Sequence, residues 1–456
     1  MSGIDALNIA KNALLSHQAA INLTGTNIAN VNTPGYTRQR PVFNTSFGQS
    51  VEVAGIERIY DRFLGTQISE QMHNLGYNEA KRDELSRIEI IFNETGGGGI
   101  NELLGKFWSA WEDLSANPSG QAERQALVSI SQSLASMFRS YSSELLSVQD
   151  DANTRIADLV QQANGYLSDI ADINSRIAGT EADDAGLNTL RDKRAELLSG
   201  LAEIIDFHYF EDSDGAISVF LSNGMPLVEG SQTWELDTVT GENDNPSFYD
   251  VVFKDDPDEE VINNVITSGK LAGFLEVRDT VVEGYMKSLN DLSASIADKV
   301  NTQHKLGYDI NQNLGEDFFV FDGGVEEAGY MQVSADIIAD INKIAASETV
   351  NGDGGNAASI SAIKDELTMN GGKSTFSSYY SSLVAHIGQD VADVNRGFDH
   401  HTNLMTQLTN KREEISGVSI DEEMMNLVRY QTGYNAAARL FSAADELVDV
   451  LMNMVK

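Results

Sequence analysis

Residues 427–455, LVRYQTGYNAAARLFSAADELVDVLMNMV, decide how the chain is read. Leu427, Tyr434, Phe441, Val448 and Val455 recur every seven residues, and Tyr430, Ala437, Ala444 and Leu451 form a second series three residues on. Together they are the a/d seam of a helix that packs against another helix. Near the other end Leu7, Leu14, Ile21 and Ile28 keep the same interval among small and polar neighbours. A helix of about 35 residues extends roughly 50 Å, and alone it is marginal, because nucleation is costly and packing supplies most helical stability. Burying about seven large seam residues at ~1.5–3 kcal/mol each outweighs propensity. The two ends therefore need partners, either each other in an intramolecular hairpin or neighbouring copies.

At 456 residues the chain exceeds what one core usually serves, so two to four domains are expected. A formal charge of -38 offers no basic footprint for nucleic acid or for an anionic membrane surface. Residues 1–60 carry four basic and three acidic side chains and residues 411–456 five and eight, which leaves about -36 between them. The middle is expected to face water and the ends to be covered, since like charges oppose close packing of many copies. Cysteine is absent, which excludes disulfides, thiol nucleophiles and thiolate metal sites. Polar residues interrupt the stretch from Ser2 to Asn8, so no secretory signal is read there, and no run of about eighteen apolar residues spans a membrane.

Between the ends the spacing predicts helix over 75–94, a second helix from Ile100, a break at Pro118 and Gly120, and a long helix over 121–179 with one shift of phase. A helix over 187–206 folds back along it. Alternation in Ile217-Ser218-Val219-Phe220-Leu221, the turn at Ser222-Asn223-Gly224 and the run Val251-Val252-Phe253 predict strands. Ten acidic residues between Glu235 and Glu260, opposed by Lys254, read as a solvated surface. Helix resumes over 268–304, 307–373 is glycine-rich and irregular, and helix returns over 375–414. The expected fold is mainly α with a β insertion, an elongated multidomain rod. Its units are a terminal helical assembly domain (1–58 and 416–456), a helical bundle (59–206, 265–306 and 374–415), a β-rich insertion (207–264) and a small irregular insertion (307–373).

Catalytic and metal motifs fail at specific positions. Gly372-Lys373-Ser374 lacks the glycine of a phosphate loop, since Leu367 stands five residues earlier. Asp309, Asn311 and Asn313 open like a calcium loop, but Leu314 and Val320 occupy its glycine and glutamate positions. Asp212-Ser213-Asp214-Gly215 fails likewise, and both read as turns. His400 and His401 are adjacent, whereas zinc takes helical histidines three or four apart. Ser361-Ala362-Ile363-Lys364 has no companion motif, and no Gly-x-Ser-x-Gly elbow exists. The expectation is a structural protein with no enzyme activity and no cofactor.

The stretch Gly25-Thr26-Asn27-Ile28-Ala29-Asn30-Val31-Asn32-Thr33-Pro34-Gly35-Tyr36-Thr37-Arg38 closely resembles the N-terminal motif of the flagellar rod, hook and hook-associated family. Pro34 and Gly35 suit the centre of a type II turn, after which Tyr36 returns to packing. The run from Ser416 to Leu427, continuing to Arg439, is similar to the hook-associated branch of that family, and Asp421, Glu422 and Glu423 suit a helix's first turn. Leu190–Leu198, Phe220–Val228 and Val300–His304 are also similar to family segments; 238–260 and 322–349 match least. The resemblance implies an extracellular subunit of the hook–filament junction, exported by the flagellar type III system with a cytoplasmic chaperone on its C-terminal helix. It implies self-association in a ring, between hook protein and hook-associated protein 3. An assembly interface is expected at Leu7, Leu14, Ile21, Ile28, Asn30, Asn32, Pro34, Gly35, Tyr36, Leu427, Tyr430, Tyr434, Phe441, Val448 and Leu451. Alternatives are another axial component of hook, rod or filament type, or an adhesin or enzyme carried in the outer modules.

Overall fold

The computed structural model describes residues 3–45, 50–94, 98–179, 185–240, 248–324, 327–350 and 352–454. In chain order the elements are α1 (Gly3–Ala29), β1 (Gln39–Thr45), β2 (Val51–Arg58), α2 (Arg62–Ile91), α3 (Ile100–Ala116), α4 (Gln121–Ala178) and α5 (Ala185–Ile204). A β-rich stretch follows: β3 (His208–Glu211), β4 (Ile217–Phe220), β5 (Pro226–Glu229), β6 (Gln232–Thr233), β7 (Leu236–Thr240) and β8 (Tyr249–Phe253). Then come α6 (Gly269–Glu276), α7 (Val282–His304), β9 (Phe319–Phe321), β10 (Met331–Val333), α8 (Ala335–Ala339), α9 (Gly355–Ala362), α10 (Phe376–Ser416) and α11 (Ile420–Met454). The fold is mainly helical with small antiparallel sheets: a four-stranded sheet β3-β4-β5-β6 and the pairs β1-β2, β7-β8 and β9-β10.

Helix α4 sets the length of the molecule. Its 58 residues rise roughly 87 Å and serve two cores in turn. From Leu127 to Val148 it packs with α3, α7 and α10. From Ala152 to Ile177 it packs with α5, α6 and the strands. The phase shift in the sequence falls at this hand-over: buried positions step 4-3 as far as Val148, then 4-4-3 beyond it. The helix thereby keeps one stripe aimed at each set of neighbours.

Neither outer segment has a core of its own. Phe318, Phe319, Met331, Ile337, Ile344 and Ile360 join the first core, and Ile217, Val219, Leu227 and Val251 join the second. Buried guanidiniums stitch them down, because an unpaired one is costly. Arg124 donates to the carbonyls of Ile341, Ile344 and Pro118, and Arg278 to Asn153 and the Tyr249 carbonyl. A single π-helical turn, Val277–Val281, between α6 and α7 points Arg278 inward.

Two expectations require correction. Helix α2 begins at Arg62, thirteen residues before 75, with Asp61 capping the Leu64 amide. Gly65 and Gly76 obscure its start, and Gly76 is needed there: a Cβ would stand 2.2 Å from the Glu203 carbonyl oxygen of α5. The terminal unit is not wholly helical either, since β1 and β2 form an antiparallel hairpin against α1. Strand β1 carries Pro41, which removes a ladder donor and hides the strand from pattern reading.

Candidate assembly interface

Helices α1 and α11 pair antiparallel. Asn27 meets Glu423 at one level, and His17 meets Tyr430 and Gly433 about ten residues further along. The contact is close because small residues line it: Ala10 and Ala20 are buried on α1, and Ala437 and Ala444 on α11. Gly433 is required, for a Cβ there would lie 2.5 Å from the His17 ring. His17, Phe43 and Tyr430 form an aromatic triangle uniting α1, β1 and α11. Burial lowers the His17 pKa, and its Nδ1 has no hydrogen-bond partner, so the ring is held neutral.

A polar latch closes the pair. Glu423, almost fully buried, accepts from Asn27 Nδ2 at 3.0 Å and Arg38 Nε at 2.9 Å, while Arg38 also reaches Glu422 at 2.6 Å. The Asn27 amide bonds the Gln39 carbonyl, and its Oδ1 accepts from the Tyr36 hydroxyl at 2.7 Å. Burial, then the charges of Asp192 and Glu423, push the Tyr36 pKa up to about 12. The turn between them has the expected form: Gly35 sits at φ 78° and the Tyr36 amide donates to the Thr33 carbonyl. Asn30 bonds back to the Thr26 carbonyl; Asn32, Pro34 and Gly35 stand exposed.

The terminal unit is fastened to the bundle at Asp192 on α5. Asp192 accepts from the Thr37 hydroxyl at 2.6 Å, the Thr37 amide at 3.1 Å and Arg58 Nε at 2.7 Å. Burial raises its pKa against the pull of Arg58 and Thr37. Asn188 adds a bond to the Ile56 carbonyl, and the Arg38 amide donates to the Ser416 carbonyl.

Among the residues read from the seam, Tyr430 is buried between the helices. Leu7, Leu14, Ile21, Ile28, Leu427, Tyr434 and Val448 are half-buried along its edges. Phe441 is 36% exposed. The side chain of Leu451, and Val455 altogether, lie outside the described residues. The hairpin thus takes up the series Tyr430, Ala437 and Ala444 and leaves the series Leu427 to Val448 half covered. Val428, Leu440, Leu447 and Val450 are exposed as well, at 58, 47, 61 and 56%. Sequence reasoning missed Asn27, Glu423 and Asp192 as joints. Their partners lie 396 and 155 residues away, so no local spacing reveals them.

Among the described residues, no group of three or more His, Asp or Glu side chains is placed to hold a metal, and no helix is long and apolar enough to cross a membrane. His401 instead bonds Gln71, and Asp309 closes a turn on Asn313.

The fold is that of an elongated, mainly helical structural protein whose first and last helices pair, and similar proteins place it more narrowly. The family model described as the flagellar hook-associated protein FlgK helical domain matches residues 85–319. Those described as the flagella basal body rod protein and the flagellar basal body rod FlgEFG protein C-terminal match 7–37, most of α1 and the turn after it, and 409–454, the end of α10 and all of α11. Flagellar hook-associated protein 1 of Bacillus subtilis is 28% identical over 98% of this chain and 97% of its own length. Its Escherichia coli counterpart is 27% identical over 98% and 99%. The solved flagellar hook junction protein FlgK of Burkholderia pseudomallei superposes with a TM-score of 0.69 at 16% identity, covering 77% of this chain and all of that one. The chain belongs to the family of flagellar hook-associated protein FlgK, a structural component of the bacterial flagellum.

Proposed function

We propose that this chain is the subunit of the hook–filament junction, on which the filament is assembled. Copies form a short ring between hook protein and hook-associated protein 3, and the work is mechanical, without catalysis. The subunit travels unfolded through the flagellar type III system, its C-terminal helix covered by a cytoplasmic chaperone, and ends outside the cell. Residues 1–58 and 416–456 are the assembly domain, 59–206, 265–306 and 374–415 the rod, and 207–264 and 307–373 its outer surface.

One observation carries this reading. The α1–α11 pair covers one apolar series and leaves Phe441, Leu440, Leu447 and Val450 facing water. Neighbouring copies cover that face, with Leu7, Leu14, Ile21, Ile28, Leu427, Tyr434 and Val448 along its edges. The names of the relatives above support the hook junction as its place. The test is the double substitution Phe441→Asp, Val448→Asp. The middle of the chain is expected to melt as before, and the subunit to be absent from isolated flagella. Normal incorporation overturns the proposal.

A further inference from the structure

Outside the α1–α11 pair, four arginines gather in one cleft of this acidic chain. A cleft of about 560 Å³, where β2 meets α2, α5 and β3, is lined by Arg58, Arg62, Arg191 and Arg194 against Glu57 and Glu211. Glu57 is already held by Arg40 at 2.7 Å. That leaves Glu211 shared among three guanidiniums: Arg62 at 2.6 Å, Arg194 at 3.3 Å and Arg191 at 3.8 Å. Buried Arg194 is satisfied by Asn174 and the Gly215 carbonyl, and Arg58 by Asp192. Arg191 is held more loosely: its Nε faces Glu211 at 3.8 Å without a hydrogen bond, and its side chain is 33% exposed. Arg62 has a 78% exposed side chain. On the same rim Phe210 is 56% exposed and stacked on Phe220.

Spare donors beside an exposed aromatic ring have the composition of an interface hot spot. The occupant is fixed by charge. The chain carries -38 overall, so any acidic surface brought close by assembly is repelled everywhere except at such a cleft. The geometry points to this cleft as the socket for a carboxylate side chain of a second copy of this chain, a contact between rods that sets the rotational register of neighbours. It rests on the ring reading given above and adds to it a polar contact separate from the apolar seam.

The test uses isolated flagella carrying Arg62→Lys, which places an amine in the socket. A carbodiimide joins amines to carboxylates only in salt contact. The expected product is a dimer of twice 49.6 kDa, in which mass spectrometry finds position 62 linked to an Asp or Glu other than its own neighbour Glu211, and which is lost in Arg62→Lys, Arg191→Glu. A parallel sample carries Phe441→Cys in this cysteine-free chain, to form disulfides across the apolar face. Disulfide dimers without carbodiimide dimers overturn the socket and leave the ring standing; neither dimer overturns both. A link from position 62 to a different protein overturns it, as does saturable binding of inorganic phosphate to the free chain that Arg191→Glu abolishes.

Discussion

Glu423 shows how one side chain holds the two ends together. A buried carboxylate is tolerated because Asn27 and Arg38 both donate to it. Replacing it with Ala removes one acceptor from the Asn27 amide, which keeps the Gln39 carbonyl, and one carboxylate from Arg38, which keeps Glu422, and is expected to cost about 2 kcal/mol of pairing. Faster hydrogen exchange confined to α1 and α11 checks this. Two histidines make a second residue-scale prediction. Burial holds His73 and His304 at a pKa of about 4, below the ordinary 6.5. His304 is fixed as the neutral ring, Nδ1 donating to the Glu316 carbonyl and Nε2 accepting from the Ala345 amide. Their contribution is complete above pH 6.5. Below it the unfolded chain takes up protons that the folded chain refuses, so stability falls between pH 6.5 and 4, by up to about 3 kcal/mol per histidine. Urea unfolding at pH 7, 5.5 and 4 measures it, and His73→Phe is expected to remove about one proton from the slope.

At the scale of elements, close approach decides whether the ends can pair. Gly433→Val drives a side chain into the His17 ring. It is expected to separate α1 from α11 at a cost of about 2 kcal/mol while leaving the melting of α4 and its two cores unchanged. Domain-resolved hydrogen exchange distinguishes the two regions. Much at this scale was legible in sequence: Pro118 and Gly120 mark the start of α4, the seven-residue series marks α11, and Pro34-Gly35 marks the turn after α1. The β1–β2 hairpin was not, because Pro41 interrupts its alternation, and α2 lost its first turns to Gly65 and Gly76. The latch was hidden for another reason. An acidic residue in a first helical turn is ordinarily a solvated partner of the helix dipole, and only the fold shows that Glu423 turns inward instead.

For the whole molecule, two cores along α4 give a stiff rod, and Asp192 with Thr37 and Arg58 fastens to it a helix pair that is itself only partly covered. On the proposed reading, the nearly neutral N-terminal segment and its partner helix meet other subunits, and most of the acidic middle stays in water. The most direct measurement is hydrogen–deuterium exchange of the amides of residues 440–450, compared between the free chain and isolated flagella. Protection higher by at least about 100-fold is expected in the flagellum, where neighbouring copies would cover Leu440, Phe441, Leu447 and Val450. Equal protection in both would show that the hairpin alone satisfies α11, and would contradict the proposal.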